Sequence, residues 1–282
     1  MADQKRLIIC ADDFGRDVAV NEAVEEAHRD GILTVASLMV GAPAAADAVA
    51  RAKRLPTLGV GLHLVLADGA PVLPAGQVAA LVGADGAFDP NMVRAGFRFY
   101  FSPAARRQLA AEIRAQFEAF RATGLALDHV NGHKHVHLHP TVARLVVEIG
   151  RDYGMRAMRL PAEPVAPLRL AFPGERSAAP AWSPVVAALR RRLDRAGLVR
   201  NDQVFGIAWS GRMIEERVLG LLPHLPGGVS EIYFHPSAAA SASIPGYRQA
   251  EELAALRSPR VRQRISELGI GLACYRDLAT AP

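Results

Sequence analysis

Short apolar runs alternate with amphipathic, alanine-rich stretches along the whole of this 282-residue sequence. The alternation is typical of βα units repeated around a parallel sheet, because each apolar run forms a buried strand and each amphipathic stretch covers it. It predicts strands near 6–11, 35–40, 58–64, 126–130, 157–159, 230–234 and 269–273. It predicts helices near 20–29, 44–54, 103–123, 140–153, 214–222, 250–256 and 259–268. The helix at 103 has the clearest boundary, because Ser102 is a good N-cap and Pro103 suits the first helical position.

Two stretches, 67–101 and 161–184, break the alternation and are rich in Pro, Gly and Ala. We interpret them as insertions or long loops over one end of a barrel, where long loops tend to be functional. The length leaves one or two domains open. Because single α/β barrels often reach this size, we predict one domain over residues 1–282.

The composition is that of an ordinary globular protein, with 50% hydrophobic and 22% charged residues, and it argues against disorder. No apolar run approaches the roughly 18 to 20 residues of a membrane-spanning helix, and the N-terminus does not resemble a signal peptide. Cys10 and Cys274 lie in apolar, strand-like segments, as reduced buried cysteines do. These features predict a cytoplasmic location.

The net charge of +5 points to an anionic partner, and much of the excess lies in one segment, VVAALRRRLDRAGLVR. Its apolar residues recur at helical spacing, which predicts a surface helix with a solvated basic face. A basic helix resting on anionic lipid headgroups is the alternative, so peripheral contact with the inner membrane is a further expectation. Because the sequence shows neither interleaved aromatic residues nor a nucleic-acid-binding motif, we predict no nucleic-acid partner.

Four apolar segments end in side chains that can bind a metal or exchange protons: RLIICADDFG, LGVGLHLVL, LALDHVNGHKHVHLHP and EIYFHPS. In parallel α/β folds the carboxyl ends of the strands meet at one face, where ligands bind. We therefore expect one pocket to contain Asp12, Asp13, His63, His133 and His235.

Two imidazoles and one carboxylate often hold a divalent cation with open positions for water and substrate. Adjacent aspartates at a strand-to-loop bend can divide the work, with Asp13 binding the metal and Asp12 acting as general base. His235, from the far side, would protonate the leaving group. A turn or helix cap before the first helix is the alternative interpretation of the Asp-Asp pair.

The run of His133, His135, His137 and His139 has period two, so an extended segment would point all four side chains one way. A metal needs one or two of them, and His133 is our candidate ligand. We assign His135 and His137 to substrate binding, with outer metal-site or capping roles as alternatives. The role of His129 is left open.

The motifs ADDFG, GLHLVL, NGHKHVHLHP, FHP and CYRDL, in this order, resemble the YdjC-like carbohydrate deacetylase family. The segment GLHLVLADGAPVLP is most similar to the branch associated with hopanoid biosynthesis, HpnK, beside the chito-oligosaccharide branch, ChbG. The resemblance implies a distorted (β/α) barrel of the polysaccharide deacetylase-like type. It also implies one divalent metal ion, zinc or magnesium, bound by Asp13, His63 and His133, with Asp12 as base and His235 as acid.

Two positions qualify the resemblance. Many relatives carry an aspartate where this sequence has Asn131, so the site here would be one charge less negative. The segment Arg159-Leu160-Pro161 resembles an Arg-x-Pro element whose arginine orients the catalytic aspartate in related deacetylases. We count Arg159 among the substrate-binding residues, and a structural surface arginine is the alternative.

The resemblance implies hydrolysis of the N-acetyl group of an N-acetylglucosamine-type sugar, with N-acetylglucosaminyl hopanoid as the expected substrate. The apolar stretch at Phe97, Phe99, Tyr100 and Phe101 would then contact lipid, although ordinary core packing is the alternative. A chito-oligosaccharide deacetylase, a metal-dependent ester or phosphoester hydrolase, and a non-catalytic sugar- or lipid-binding protein are competing functions. A homodimer is a further expectation.

Overall fold

Seven parallel strands form the centre of the computed structural model, which describes residues 5–174, 179–239 and 244–279. In the sheet they follow the order β4-β3-β2-β1-β6-β5, and β7 pairs with the start of β1. Their bounds are β1 Lys5–Phe14, β2 Val35–Leu38, β3 Gly59–Leu64, β4 Leu127–Gly132, β5 Gln203–Phe205, β6 Gly228–Phe234 and β7 Gly271–Leu272.

Helices follow most of the strands and cover the sheet with their apolar faces. Their bounds are α1 Val18–Arg29, α2 Ala45–Ala52, α3 Met92–Phe101, α4 Pro103–Ala122, α5 Pro140–Gly150, α6 Val165–Ala171, α7 Ser183–Arg195, α8 Glu215–Leu221, α9 Gln249–Arg257, α10 Pro259–Glu267 and α11 Tyr275–Ala279. The predicted start of α4 is confirmed, since the Ser102 side chain accepts a hydrogen bond from the Ala105 amide.

The sheet curls into a distorted (β/α) barrel, as predicted. An irregular segment spans the gap between the two edge strands of the sheet, β4 and β5. On one side the amide of Arg159 donates to the Val130 carbonyl of β4, at 3.0 Å. On the other side the amide of Val204 in β5 donates to the Ala162 carbonyl, at 2.9 Å. The predicted strand at 157–159 is thus reduced to isolated bridges at Ala157 and Met158, and the three-residue strand β5 was missed.

The prediction of a basic surface helix near 190 is confirmed. Helix α7 buries Val186, Leu189 and Leu193 on one face, while Arg191 and Arg195 are exposed on the other. Across the described ranges, no helix is both long and apolar enough to cross a bilayer.

The segment 67–101 includes helix α3 where we expected loop, and a buried carboxylate ties the start of this region to α4. Glu112 accepts hydrogen bonds from the amides of Val72 (2.8 Å) and Leu73 (3.0 Å). One turn further on, Gln116 exchanges two hydrogen bonds with the backbone of Val65. In the segment 161–184 the described residues include helix α6, and positions 175–178 lie outside the described residues.

The substitution Glu112→Gln tests this anchor. The new amide has one acceptor oxygen for two partly buried backbone donors, so one donor loses its partner, and the new NH2 group lies in a buried place. We expect the free energy of unfolding to fall by about 1–3 kcal/mol, the cost of an unsatisfied buried group, in urea denaturation. Glu118→Gln, exposed on the same helix, is the control and should cost less than about 1 kcal/mol. Equal losses in the two variants would show that Glu112 is not an anchor.

Candidate metal centre and active site

A cavity of about 420 Å³ opens at the carboxyl edge of the sheet. The polar groups in its wall come from the ends of β1, β3, β4 and β6, which is where parallel strands bring distant residues together. These groups include Asp12, Asp13, His63, Asp68, His133, His135, Tyr233 and His235. The structure thus places all five side chains that we expected to share a pocket in one cavity.

Asp13, His63 and His133 form the centre of this group. Their potential ligand atoms lie within 4.8 Å of one another, and all three side chains are buried. Asp13 Oδ1 lies 3.3 Å from His63 Nε2 and 3.0 Å from His133 Nδ1. Asp13 Oδ2 is buried without a hydrogen-bond partner. One carboxylate with two imidazoles is a donor set that suits a divalent cation.

The two neighbouring aspartates separate because β1 bends at its end. Asp13 has a φ of 63°, a left-handed conformation that non-glycine residues rarely adopt, and the pairing with β2 is irregular between Ala11 and Phe14. Asp13 therefore faces the histidines while Asp12 faces the barrel interior. The capping role that we considered for this pair belongs to Asp17, whose side chain accepts from the Val20 amide at the start of α1.

The side chain of Asn131 fixes the tautomer of His63. His63 Nδ1 donates to Asn131 Oδ1 at 2.6 Å, so Nε2, which lies 3.3 Å from Asp13 Oδ1, is the ring nitrogen left to bind a cation. Asn131 Nδ2 in turn donates to Ser37 Oγ (2.9 Å) and Asp12 Oδ1 (3.1 Å). A group that accepts on one side and donates on the other is needed here, and an amide supplies both.

A second carboxylate, that of Asp68, lies on the side of the His133 ring that faces away from Asp13. His133 Nε2 lies 3.9 Å from Asp68 Oδ2, and the same oxygen is paired with Lys134 Nζ at 2.5 Å. Asp68 follows β3, so this contact connects the segment 67–101 with the turn that carries His133. At 3.9 Å the contact is electrostatic, and His133 Nε2 is buried without a hydrogen-bond partner among the described residues.

Arg159 lies behind Asp12 instead of in the cavity. Its guanidinium is 0% exposed and donates from Nη1 and Nη2 to the two carboxylate oxygens of Asp12, at 2.6 and 2.9 Å. The assignment of Arg159 to substrate binding is therefore wrong, since the side chain is enclosed in the barrel. Burial would raise the pKa of Asp12, but the guanidinium and the His63 imidazole hold this pKa well below its usual range.

His235 approaches the cavity from the end of β6. Its ring packs edge-on against Tyr247 at 5.1 Å, and its backbone amide donates to the buried carboxylate of Glu252. Burial lowers the pKa of His235, although the negative charges of Asp13 and Asp12 oppose this change. The residue lines the cavity, and its Nδ1 atom is buried without a hydrogen-bond partner among the described residues.

The histidine run does not point one way, because it forms a kinked turn in place of an extended strand. Lys134 and His135 are left-handed, with φ of 52° and 54°, which breaks the period of two. His135 lines the cavity, and burial lowers its pKa to about 3. His137 is 0% exposed and does not line the cavity, so its assignment to substrate binding is wrong.

Comparison with known proteins identifies the family. The model of the YdjC-like protein family matches residues 6–267. The chain belongs to the YdjC-like family. A carbohydrate deacetylase of Geobacillus stearothermophilus is 32% identical over 275 residues, 96% of each chain. A carbohydrate deacetylase of Brevibacillus brevis is 42% identical over 148 residues, which span 52% of this chain and 56% of that protein.

A solved structure agrees with the fold of this YdjC-like protein. A protein of Enterococcus faecalis, described as a candidate cellobiose-phosphate cleavage protein, superposes with a TM-score of 0.78 at 26% identity. The match covers 98% of this chain and 99% of the other. It therefore extends over the barrel and over the segments that surround the cavity.

Several cavity residues of this YdjC-like protein were missed from the sequence. Tyr233 precedes His235 by two positions at the end of β6. Because residues two apart on a strand share a face, the place of Tyr233 in the cavity could have been predicted from that of His235. The Tyr233 hydroxyl lies 3.3 Å from His135 Nε2. Asp68 and Trp182 lie in irregular segments, where no periodic sequence pattern predicts which residues face the cavity.

Asn131→Ala tests whether the amide prepares His63 for a metal. The substitution removes the acceptor for Nδ1, so the imidazole can turn or change tautomer. We expect the affinity for Zn²⁺, measured by titration calorimetry, to fall roughly 10- to 100-fold, the usual cost of losing such a partner. Ser37→Ala, which leaves the bond between Asn131 and His63 in place, should bind Zn²⁺ almost as tightly as wild type. Unchanged affinity in Asn131→Ala would contradict this role.

Proposed function

We propose that this YdjC-like protein is a metal-dependent deacetylase that hydrolyses the N-acetyl group of an N-acetylglucosamine-type sugar. The observation that carries the proposal is the division of the adjacent aspartates between two environments in one cavity. Asp13 faces two imidazoles, and Asp12 is held as an anion by a buried guanidinium. The carbohydrate deacetylases among its relatives support the substrate class.

Asp13, His63 and His133 would hold one divalent cation, with zinc and magnesium as the candidates. When bound, such an ion lowers the pKa of water and polarises a carbonyl group. The buried Asp13 oxygen that has no hydrogen-bond partner fits this role, because a buried anion requires compensation and the Arg16 guanidinium, 3.6 Å away, is beyond hydrogen-bonding distance.

The residues around the cluster divide the proton transfers. Asp12 accepts a proton from the water that attacks the acetyl carbon, and the buried guanidinium of Arg159 keeps its carboxylate ionised and fixes its orientation. The carbon–nitrogen bond then breaks as His235 donates a proton to the departing amine. Because burial lowers the pKa of His235, this proton is the one that Asp12 took from the water, passed on through the imidazole. Acetate and a free amino sugar leave. His135 stands in the cavity wall as a neutral imidazole, where it can hydrogen-bond to sugar hydroxyl groups.

A phosphoester hydrolase is the competing enzymatic function, and it would favour a second metal and more carboxylates. Within the residues that the structure describes, one group of three His, Cys, Asp or Glu side chains has metal-binding geometry, and it is Asp13, His63 and His133. The geometry therefore favours amide hydrolysis, for which His235 supplies the acid.

Asp12→Asn tests the catalytic proposal. The amide keeps the shape of the side chain but cannot take a proton, so acetate release from N-acetylglucosamine oligomers or glycolipids should fall at least ~100-fold, within the usual contribution of a general base. Binding of Zn²⁺ should persist. Chelation should abolish acetate release by wild type, and added metal should restore it. Asp194→Asn, an exposed substitution on α7, is the control.

Retained acetate release in Asp12→Asn would contradict the role of this residue. Wild-type protein that binds metal but releases no acetate from any N-acetylated sugar would favour the non-catalytic sugar- or lipid-binding protein.

An apolar groove of about 290 Å³ continues from the cavity and suggests a lipid-linked sugar. Met92, Lys134, His135 and Trp182 line both spaces, so a molecule with its sugar in the cavity can extend into the groove. The far wall comes from Phe99, Leu138 and Val185, among other residues. We propose that the groove binds the apolar part of a glycolipid such as N-acetylglucosaminyl hopanoid.

Exposed apolar side chains beside the groove support contact with a membrane surface. Phe97 and Phe101 on α3 are 62% and 68% exposed and stack on each other. Helix α7 begins at the groove and carries the basic face. An apolar edge next to a basic face is the arrangement that binds anionic lipid surfaces peripherally.

Val185→Asp tests the groove, because Val185 lines it without lining the catalytic cavity. A charge there should raise KM for the hopanoid-linked sugar roughly 10-fold or more, since burial of a valine is worth about 1.5–3 kcal/mol. KM for free chito-oligosaccharides should not change. Leu170→Asp, an exposed apolar position outside the groove, is the control. Equal effects on both substrates, or preference for the free sugar, would support a chito-oligosaccharide deacetylase.

A further inference from the structure

A buried network connects Asp12 with the opposite end of the barrel. It consists of Asp12, Arg159, Glu231 and Tyr275, which we call the orienting network. All four residues are at most 3% exposed, and the two carboxylates share the guanidinium of Arg159 between them. Tyr275 belongs to the C-terminal helix α11, which lies at the far end of the barrel from the cavity.

Each connection in the orienting network fixes the next one. Arg159 Nε and Nη2 donate to Glu231 Oε1 at 2.9 and 2.6 Å, while Nη1 and Nη2 face Asp12. The other oxygen of Glu231 accepts the Tyr275 hydroxyl at 2.6 Å. Because Glu231 is held from both sides, its carboxylate cannot rotate without losing one of these contacts. The planar guanidinium transmits this constraint to Asp12.

Tyr275 is itself held firmly in place. Its ring stacks on His129, with centroids 4.8 Å apart, and the backbone amides of Tyr275 and Arg276 donate to Asp128 at 3.4 and 3.1 Å. Burial, followed by the charge of Glu231, raises the pKa of Tyr275 well above its usual value. The hydroxyl therefore keeps its proton and is a permanent donor.

We propose that Glu231 and Tyr275 are positioning residues that set the orientation of Asp12 through Arg159. This inference rests on the proposed function, in which Asp12 accepts a proton from water. Misplacement of a catalytic group by about 1 Å can reduce a rate by about 100-fold, so a base at the barrel centre requires a rigid support. On this view the CYRDL segment contributes to catalysis without touching the substrate.

The test compares Tyr275→Phe with wild-type protein. Phenylalanine preserves the ring that stacks on His129 and removes the donor to Glu231. We expect kcat for acetate release to fall roughly 10-fold, typical of losing an outer partner of an active site, with KM unchanged. Tyr153→Phe is the matched control, because its hydroxyl also donates to a carboxylate, that of the exposed Glu118, and it should leave kcat unchanged.

Glu231→Gln and the double variant distinguish positioning from general stability. The neutral amide keeps the volume but binds the guanidinium more weakly than a carboxylate does. Because both residues act along one path, the double variant should lose no more of kcat than the more damaged single variant. Independent losses that multiply, or an unchanged kcat in Tyr275→Phe, would overturn the proposal. If Tyr275→Phe does not fold, a kcat loss at constant KM in Glu231→Gln supports the proposal, and an unchanged kcat overturns it.

Crystal structures of wild type and Tyr275→Phe separate this inference from the proposed function. A turned Asp12 carboxylate in the variant supports the positioning role whether or not the protein releases acetate. Superposable Asp12 and Arg159 side chains in the two structures overturn it. Wild-type protein that releases no acetate overturns the proposed function alone.

Discussion

The buried guanidinium of Arg159 between two carboxylates is the interaction on which the centre of this protein depends. Asp12 and Glu231 come from neighbouring strands of the sheet, and both side chains are buried. Two anions at this depth would repel each other and lose their hydration, and removal of one partner from such a group typically costs about 3–5 kcal/mol. The irregular segment that spans the gap between β4 and β5 brings Arg159 into this position, so completion of the barrel and support of Asp12 are achieved by the same residue.

The balance of buried charges around Asp12 also explains why a neutral side chain suits position 131. Asn131 receives a hydrogen bond from His63 and gives one to Asp12, so it stands between the candidate metal cluster and the candidate base. An aspartate, which many relatives are expected to carry here, would need a proton to make the second bond and would otherwise repel Asp12. The amide therefore adds no second negative charge beside Asp12, and it couples the orientation of His63 to that of Asp12.

Placement at strand ends was predictable from the sequence, whereas the direction of individual side chains was not. Parallel strands present their carboxyl ends at one face, and this rule was enough to bring Asp13, His63 and His133 together before any coordinates. The rule does not say which way a loop turns. His137 was misplaced because Lys134 and His135 adopt left-handed conformations, and Arg159 was misplaced because the segment after Met158 turns into the barrel. The short strand β5 lacked the length that makes a periodic pattern recognisable.

Backbone strain in the described residues is concentrated at the cavity. The non-glycine residues with positive φ are Asp13, Asp68, Lys134 and His135, and all of them line it. A left-handed residue other than glycine costs roughly 1–2 kcal/mol, so four in one place require a rigid support. The packed barrel and the ion pairs of Arg159 and Lys134 provide it. The strained turns allow neighbouring residues in the sequence, such as Asp12 and Asp13, to face different environments, and a reaction that needs a metal ligand and a base side by side requires that separation.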